Sequence, residues 1–173
     1  MKVVNNLENL GCVFHTLYGG EPSVYPWLEE LVMLLNKEDK CYTFITSGVE
    51  KEKWFRLQEV EGIKGISASV DLGCFSGQRY WKSILGEEFL FEMKKRGVKD
   101  IVAVTVLDEN NIQDDRVCEL VEIYTKKGIY VEITLIDEPK NKWYDFARGV
   151  GLEIKSMDRF DALMDKLKEM KRD

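Results

Sequence analysis

Residues 12–22 read Cys-Val-Phe-His-Thr-Leu-Tyr-Gly-Gly-Glu-Pro, and this stretch decides the fold of the chain. Its first seven residues have the apolar and β-branched character that is typical of a strand. Two glycines close the strand, and the Glu-Pro pair after them turns the chain toward a helix. The same unit, a short strand closed by small residues and followed by an amphipathic helix, recurs along the chain.

The recurring unit predicts five strands, at 12–18, 41–46, 65–70, 101–107 and 129–136. It predicts helices at 26–36, 50–60, 87–96 and 115–127, with 2–10 as the tail of a helix before the first strand. Strands that alternate with helices at this spacing form βαβ units and a parallel sheet. A last helix is predicted at 158–171, because its apolar residues share one face: Phe160, Leu163, Met164, Leu167 and Met170.

Length and composition exclude several classes of protein. A chain of 173 residues is sized for one domain with a single core. The net charge of −6 argues against general nucleic-acid binding, which needs a basic surface. Residues 1–10 lack the apolar region of a signal peptide, and no apolar run reaches the length of a membrane span. We therefore expect a cytoplasmic protein that does not contact membranes.

The four cysteines are far apart in the sequence and form no CxxC or CxxxCxxC motif. Cys12, Cys41 and Cys118 have apolar neighbours, which predicts small buried side chains. Cys74 falls in a predicted loop. A disulfide framework is not expected for this spacing.

Candidate binding residues follow the ends of the strands, where parallel α/β folds bind their ligands. Gly19 and Gly20 let a ligand approach the backbone, and Glu21 offers a carboxylate that can accept a hydrogen bond from an ammonium group. The alternative for this motif is an ordinary turn with a solvated glutamate. The second strand ends in Thr46-Ser47-Gly48, whose small side chains also leave room for a ligand.

The third strand and the single histidine carry the remaining polar candidates. Ser67, Ser69 and Asp71 alternate, so they face one side of the strand and suit a polyhydroxyl such as a ribose. Ser67 is the deepest of the three and is also compatible with a buried, hydrogen-bonded hydroxyl. His15 lies inside the first strand, where an interior histidine is more common than a catalytic one. A Ser-His-Asp or Cys-His mechanism would depend on this residue and has no further support.

Taken in order, these strand ends resemble the radical SAM superfamily, whose members bind S-adenosylmethionine (SAM) across the top of a partial (β/α)₆ barrel. Gly19-Gly20-Glu21-Pro22 matches the family's GGEP motif, Thr46-Ser47-Gly48 is similar to its TNG-like triplet, and Ser69-Val70-Asp71 is similar to its SxD pattern. The resemblance implies an α/β fold whose parallel βα repeats form a partial (β/α) barrel of about five strands. The barrel would span 1–138, and 139–173 would add an extension and an amphipathic helix that packs on the same domain.

The resemblance also implies roles for individual residues in binding SAM. The methionyl amino group would be received by the GGEP turn, the floor would be formed by the triplet, the ribose would face the third strand, and the carboxylate and adenine would meet later residues. In that order, the implied residues are Gly19, Gly20, Glu21 and Pro22; Ser47 and Gly48; Ser69 and Asp71; Arg79; and Val106.

The chain departs from the family in one respect that bears on catalysis. The family's CxxxCxxC loop, which supplies three thiolates to a [4Fe–4S] cluster, has no counterpart here. The cluster expected for the family would therefore not be ligated by this chain, no residue is assigned to a metal, and enzymatic activity stays an open question.

Three interpretations follow. The chain is a truncated or late-starting form of a radical SAM enzyme; or a natural relative without a cluster, which binds SAM, another nucleotide or a protein; or an unrelated, non-catalytic α/β domain for protein interaction or nucleotide binding. In the first two cases the strand 12–18 lies at an open edge of the sheet, and such an edge pairs readily with other strands. We therefore expect residues 1–10, a second copy or a protein partner to cover the Cys12–Tyr18 edge.

Overall fold

The computed structural model describes residues 2–70, 88–107, 112, 116–135 and 157–170. Side chains are described for all of these except residues 2–4 and Arg116, for which only the backbone is described. The predictions for Asp71, Arg79 and Cys74 concern positions outside the described residues.

Every predicted strand and helix has a counterpart in the structure, and the predicted ends differ from the observed ones by up to three residues. The elements are α1 (Lys2–Asn9), β1 (His15–Leu17), a 3₁₀ turn (Pro22–Val24), α2 (Leu28–Lys37), β2 (Tyr42–Thr46), α3 (Lys51–Val60), β3 (Gly65–Ser69), helical residues 88–95 (α4), β4 (Asp100–Leu107), α5 (Arg116–Lys126), β5 (Tyr130–Leu135) and α6 (Met157–Met170).

The five strands form one sheet in the order β1-β2-β3-β4-β5, and every neighbouring pair is parallel. Sequential order with a helical crossover between strands is the arrangement of a (β/α) barrel. Within the described residues β1 and β5 are the outer strands, so the sheet is open on both sides, as in a partial barrel. The predicted α/β class with about five parallel strands and a C-terminal helix is confirmed.

The register of the strands divides the sheet into two faces. Phe44 pairs with Ile66, and Ile66 pairs with Ile101, and these buried side chains belong to the main core. The helices α2 to α5 pack on this side, which we call the helix face. Ser67 pairs with Val102 and projects from the opposite side, which we call the open face.

A second, smaller apolar cluster joins α6 to the sheet. Leu163 of α6 packs with Leu107 of β4 and with Val117 and Cys118 of α5. The predicted apolar stripe of the last helix therefore contacts the same sheet as the other helices. No helix in the described part of the chain is long and apolar enough to cross a membrane.

The prediction that three cysteines are buried is wrong for two of them. Cys118 is buried, whereas Cys12 is partly exposed and Cys41 is exposed. Cys12 lies three residues before β1, and Cys41 directly precedes the buried Tyr42 of β2, so its side chain falls on the opposite side of that strand. Apolar neighbours in the sequence do not reveal that position.

Candidate functional site

The turn after β1 brings a stretch of bare backbone to the carboxyl end of the sheet. Gly19 and Gly20 have φ angles of +123° and +60°, in the left-handed region that favours glycine. A Cβ added at either position would meet no heavy atom of the described residues within 4 Å, so this part of the chain leaves space beside the backbone. Glu21 follows and caps the 3₁₀ turn, since its side chain accepts a hydrogen bond from the Ser23 amide.

Glu21 connects the end of β1 to the end of β2. Its Oε1 accepts hydrogen bonds from the Ser23 amide at 3.1 Å, the Ser23 hydroxyl at 2.7 Å and the Thr46 hydroxyl at 2.5 Å. Its Oε2 accepts from the Ser47 amide at 2.7 Å and the Ser47 hydroxyl at 2.5 Å. Glu21 and Thr46 are 25 residues apart in the sequence, so this carboxylate joins the turn after β1 to the end of β2.

Thr46 supports this arrangement from the helix face. Its Oγ1 accepts hydrogen bonds from the Gly48 amide at 3.1 Å and from Trp54 Nε1 of α3 at 3.2 Å. Gly48 has a φ of +71°, and a Cβ there would lie 3.1 Å from the Phe89 ring of α4. The small residue at this position therefore has a structural reason, which is close packing in a left-handed turn.

Hydrogen bonds from neutral groups stabilise the charge of Glu21. Burial would raise the pKa of this carboxyl, but hydrogen bonds from Ser47, Thr46 and Ser23 outweigh burial and lower the pKa below its usual value. Within the described residues no lysine, arginine or histidine forms an ion pair with Glu21. Lys53 of α3 lies nearby, and its ammonium donates to the carbonyls of Ser23 and Tyr25. The end of β1 therefore presents an ionised carboxylate that no cationic side chain of the described residues neutralises.

The candidates on β3 and β4 share the open face. Ser69 pairs with Val104, and Val106 lies two residues further along β4, so the three side chains project from the same side of the sheet. Ser69 and Val106 are partly exposed, whereas Ser67 is buried, as its deeper position predicted. Ser47 and Gly48 lie at the end of β2, between the GGEP turn and Ser69.

His15 lies at the other end of the first strand and has a different environment. Its side chain is buried, and its Nε2 lies 3.2 Å from Glu8 Oε1 of α1. Lys40 donates to the second oxygen of Glu8 at 2.5 Å. His15 is an interior residue that contacts α1, as its place inside a strand indicated.

The described cysteines do not fit a [4Fe–4S] cluster. Such a cluster needs thiolates that converge at one point, whereas Cys12 and Cys41 precede β1 and β2 and Cys118 lies on α5. In the described part of the chain, no group of three His, Cys, Asp or Glu side chains is arranged to hold a metal ion.

Comparisons with known proteins support the fold. No family model matches the chain, and no curated protein matches it in sequence. A solved structure of TYW1, a radical SAM enzyme, with a lysine–pyruvate adduct bound is similar to this chain, with a TM-score of 0.59 at 20% identity. The match covers 94% of this chain and 52% of that one, so this chain spans about half the length of the TYW1 structure. The chain therefore shares the fold of the matched part of that structure.

The sequence indicated Thr46 and Ser47 at the end of β2 but not that they hold Glu21, and it missed Ser23 and Trp54. Ser23, Thr46 and Trp54 make the hydrogen bonds that fix the carboxylate or its neighbours. One sequence signal pointed to Thr46. A threonine at the last position of a strand can accept a hydrogen bond from a backbone amide of the turn that follows, as Thr46 does from Gly48.

Proposed function

We propose that this chain is a SAM-binding barrel of the radical SAM type that does not ligate an iron–sulfur cluster of its own. The observation that carries the proposal is the ionised carboxylate of Glu21, which stands without an ion pair among the described residues beside the bare backbone of Gly19 and Gly20. The amino group of SAM is a cation that such a carboxylate attracts. The similarity to a radical SAM enzyme in fold supports this choice of ligand.

The proposed contacts follow the rim of the sheet from strand to strand. The methionyl ammonium would lie against the GGEP turn, the triplet would form the floor, and the nucleoside would extend across the open face. The residues proposed for these contacts, in that order, are Gly19, Gly20, Glu21 and Pro22; Ser47 and Gly48; then Ser69 and Asp71 for the ribose, Arg79 for the carboxylate and Val106 for the adenine.

The chemistry that follows binding depends on a group that this chain does not hold in its described cysteines. In radical SAM enzymes the [4Fe–4S] cluster supplies the electron that cleaves the sulfonium of SAM. The residues proposed for these contacts would bind and orient SAM, and a cluster would have to be held by other ligands.

Calorimetric titration with SAM tests the proposal. We expect the native chain to bind, and Glu21→Gln to reduce affinity by about tenfold or more because the neutral amide no longer attracts the ammonium. Glu122→Gln is a matched control. Glu122 is an exposed glutamate of α5 that pairs with Lys126 of the same helix and is not among the residues proposed to contact SAM. Absence of binding to the native chain, or equal affinity in both variants, contradicts the proposal.

Association through the β1 edge is a second candidate function, of the protein-interaction class. Val13, Phe14 and Tyr18 are 80%, 51% and 77% exposed beside this outer strand. The His15 amide donates to Cys41 of the neighbouring chain segment, so in a parallel pair the next amide, that of Thr16, points away from β2. An outer strand with outward amides and apolar flanks can pair with another strand.

We propose that a second copy of the chain occupies this edge. Light scattering on purified protein tests this: we expect a dimer for the native chain and a monomer for Thr16→Pro. Proline removes the outward amide and leaves the hydrogen bonds to β2 in place. A native chain that stays monomeric at high concentration would show that the edge is not self-associating.

A further inference from the structure

The carboxylate of Glu21 has no acceptor position to spare in this structure. Five donors from its own chain contact its two oxygens, and a carboxylate offers about four lone-pair positions. A ligand ammonium can therefore reach Glu21 only by taking the place of one of these donors.

The two oxygens differ in how accessible their donors are. Oε1 is enclosed by Ser23 and Thr46, which are 1% and 3% exposed. Oε2 is held by Ser47, whose side chain is partly exposed. The Ser47 hydroxyl is the more accessible donor, because it can rotate toward solvent, whereas the backbone amide of Ser47 is fixed by the turn.

We propose that Ser47 controls the access of a ligand's amino group to Glu21. The Ser47 hydroxyl occupies the position on Oε2 that the ammonium needs, so amino-group binding must displace it. This inference rests on the proposed function, since it concerns the amino end of SAM. It makes Ser47 a specificity-determining residue: it sets the affinity for the amino group and leaves the affinity for the nucleoside unchanged.

The size of the effect follows from the hydrogen bond that is exchanged. A hydrogen bond to a charged group contributes more than a neutral one, but the displaced hydroxyl regains a bond to water, so only part of its strength is lost. We expect removal of the hydroxyl to increase SAM affinity by about 3- to 10-fold.

The test compares two variants and two ligands by calorimetric titration. Ser47→Ala vacates the accessible position on Oε2, whereas Ser23→Ala vacates a position on the enclosed oxygen Oε1. SAM carries the amino group, and 5′-methylthioadenosine lacks it. We expect tighter SAM binding by Ser47→Ala, no gain for Ser23→Ala, and no change in the affinity of Ser47→Ala for 5′-methylthioadenosine.

A ligand-free measurement keeps the test independent of SAM. In ¹³C NMR titrations of the glutamate carboxyls, with Glu21→Gln to assign the signal, we expect Ser47→Ala to raise the pKa of Glu21 toward its usual value. If Ser47→Ala does not fold, Ser47→Gly provides a second variant without the hydroxyl.

The outcomes separate this inference from the proposed function. If the native chain binds SAM but Ser47→Ala binds it no more tightly, or if Ser23→Ala or 5′-methylthioadenosine shows the same gain, Ser47 does not control access and the proposed function stands. An unchanged pKa of Glu21 in Ser47→Ala also overturns the inference. If neither the native chain nor any variant binds SAM, the proposed function fails and this inference fails with it.

Discussion

Two glutamates anchor the first strand at its opposite ends, and their charges are stabilised in different ways. Glu8, at the amino end, is held by charged or chargeable groups: Lys40 at 2.5 Å and His15 at 3.2 Å. Glu21, at the carboxyl end, is held by hydroxyls and backbone amides of Ser23, Thr46 and Ser47. Both surroundings lower the pKa of the carboxyl, the first mainly through Lys40 and then His15, the second through hydrogen bonds that outweigh burial.

The difference separates a carboxylate whose charge is paired within the fold from one to which the described residues supply only neutral donors. The charge of Glu8 is neutralised within the fold, so its role is to attach α1 to β1 and to the segment before β2. Among the described residues, the charge of Glu21 is solvated by neutral dipoles, so it keeps its attraction for a cation. The sequence alone does not show whether a glutamate is paired with a cation or held by neutral donors, because this depends on which groups surround its carboxylate in the fold.

The largest effect is expected at Thr46, the residue on which the carboxyl-end arrangement depends. Thr46→Val removes a donor to Glu21 and leaves the Gly48 amide and the Trp54 indole N–H without their acceptor. Each buried donor without a partner costs about 1–3 kcal/mol, so we expect the free energy of unfolding to fall by about 2–4 kcal/mol. Denaturant unfolding measures this change.

Thr46→Ser is the matched control, because it keeps the hydroxyl and loses only a methyl group. We expect it to cost ~1 kcal/mol, which is the contribution of one buried methyl group. If the two variants are equally destabilised, the hydroxyl does not organise the strand ends, and the contrast between the two glutamates loses its structural basis.

The fold could be predicted because it depends on patterns that are local in the sequence. The alternation of β-rich runs with amphipathic helices gave all five strands, and Gly19-Gly20 marked the turn that the structure places at φ angles of +123° and +60°. The predicted first strand was too long, since only His15–Leu17 pairs with β2. The apolar residues on either side of His15–Leu17 continue the β-like sequence pattern, but they do not pair with β2.

The surroundings of Glu21 could not be predicted because they depend on contacts between distant segments. Thr46 pairs with Ala68, and this register turns the threonine toward the helix face, where Trp54 meets it. The alternation of β2 gives the face of Thr46, but no sequence pattern gives the position of the Glu21 carboxylate relative to β2. The sequence identified the strand ends, and the structure shows which of them share one carboxylate.

A smaller effect is expected when the two glutamates are compared in acid and in salt. Because both folded-state pKa values are lowered, each carboxylate stabilises the fold above the pKa of the unfolded side chain, and this contribution is lost as the pH falls through the folded-state pKa. Glu8→Gln and Glu21→Gln should therefore both reduce stability at neutral pH and flatten its loss in acid. For Glu21→Gln we expect a reduction of about 1–2 kcal/mol at neutral pH.

Salt then distinguishes the two sites. The attraction between Glu8 and Lys40 is an interaction of opposite charges near the surface, so added salt weakens it. The hydrogen bonds of Glu21 come from neutral donors and do not depend on an opposite charge. We measure the melting temperature at low and at high salt. As salt is raised, we expect the melting temperature of Glu8→Gln to approach that of the native chain. The difference in melting temperature between Glu21→Gln and the native chain should persist. Equal shrinkage at both sites would indicate that a cation neutralises Glu21 in solution, and the carboxyl end of β1 would then resemble the amino end.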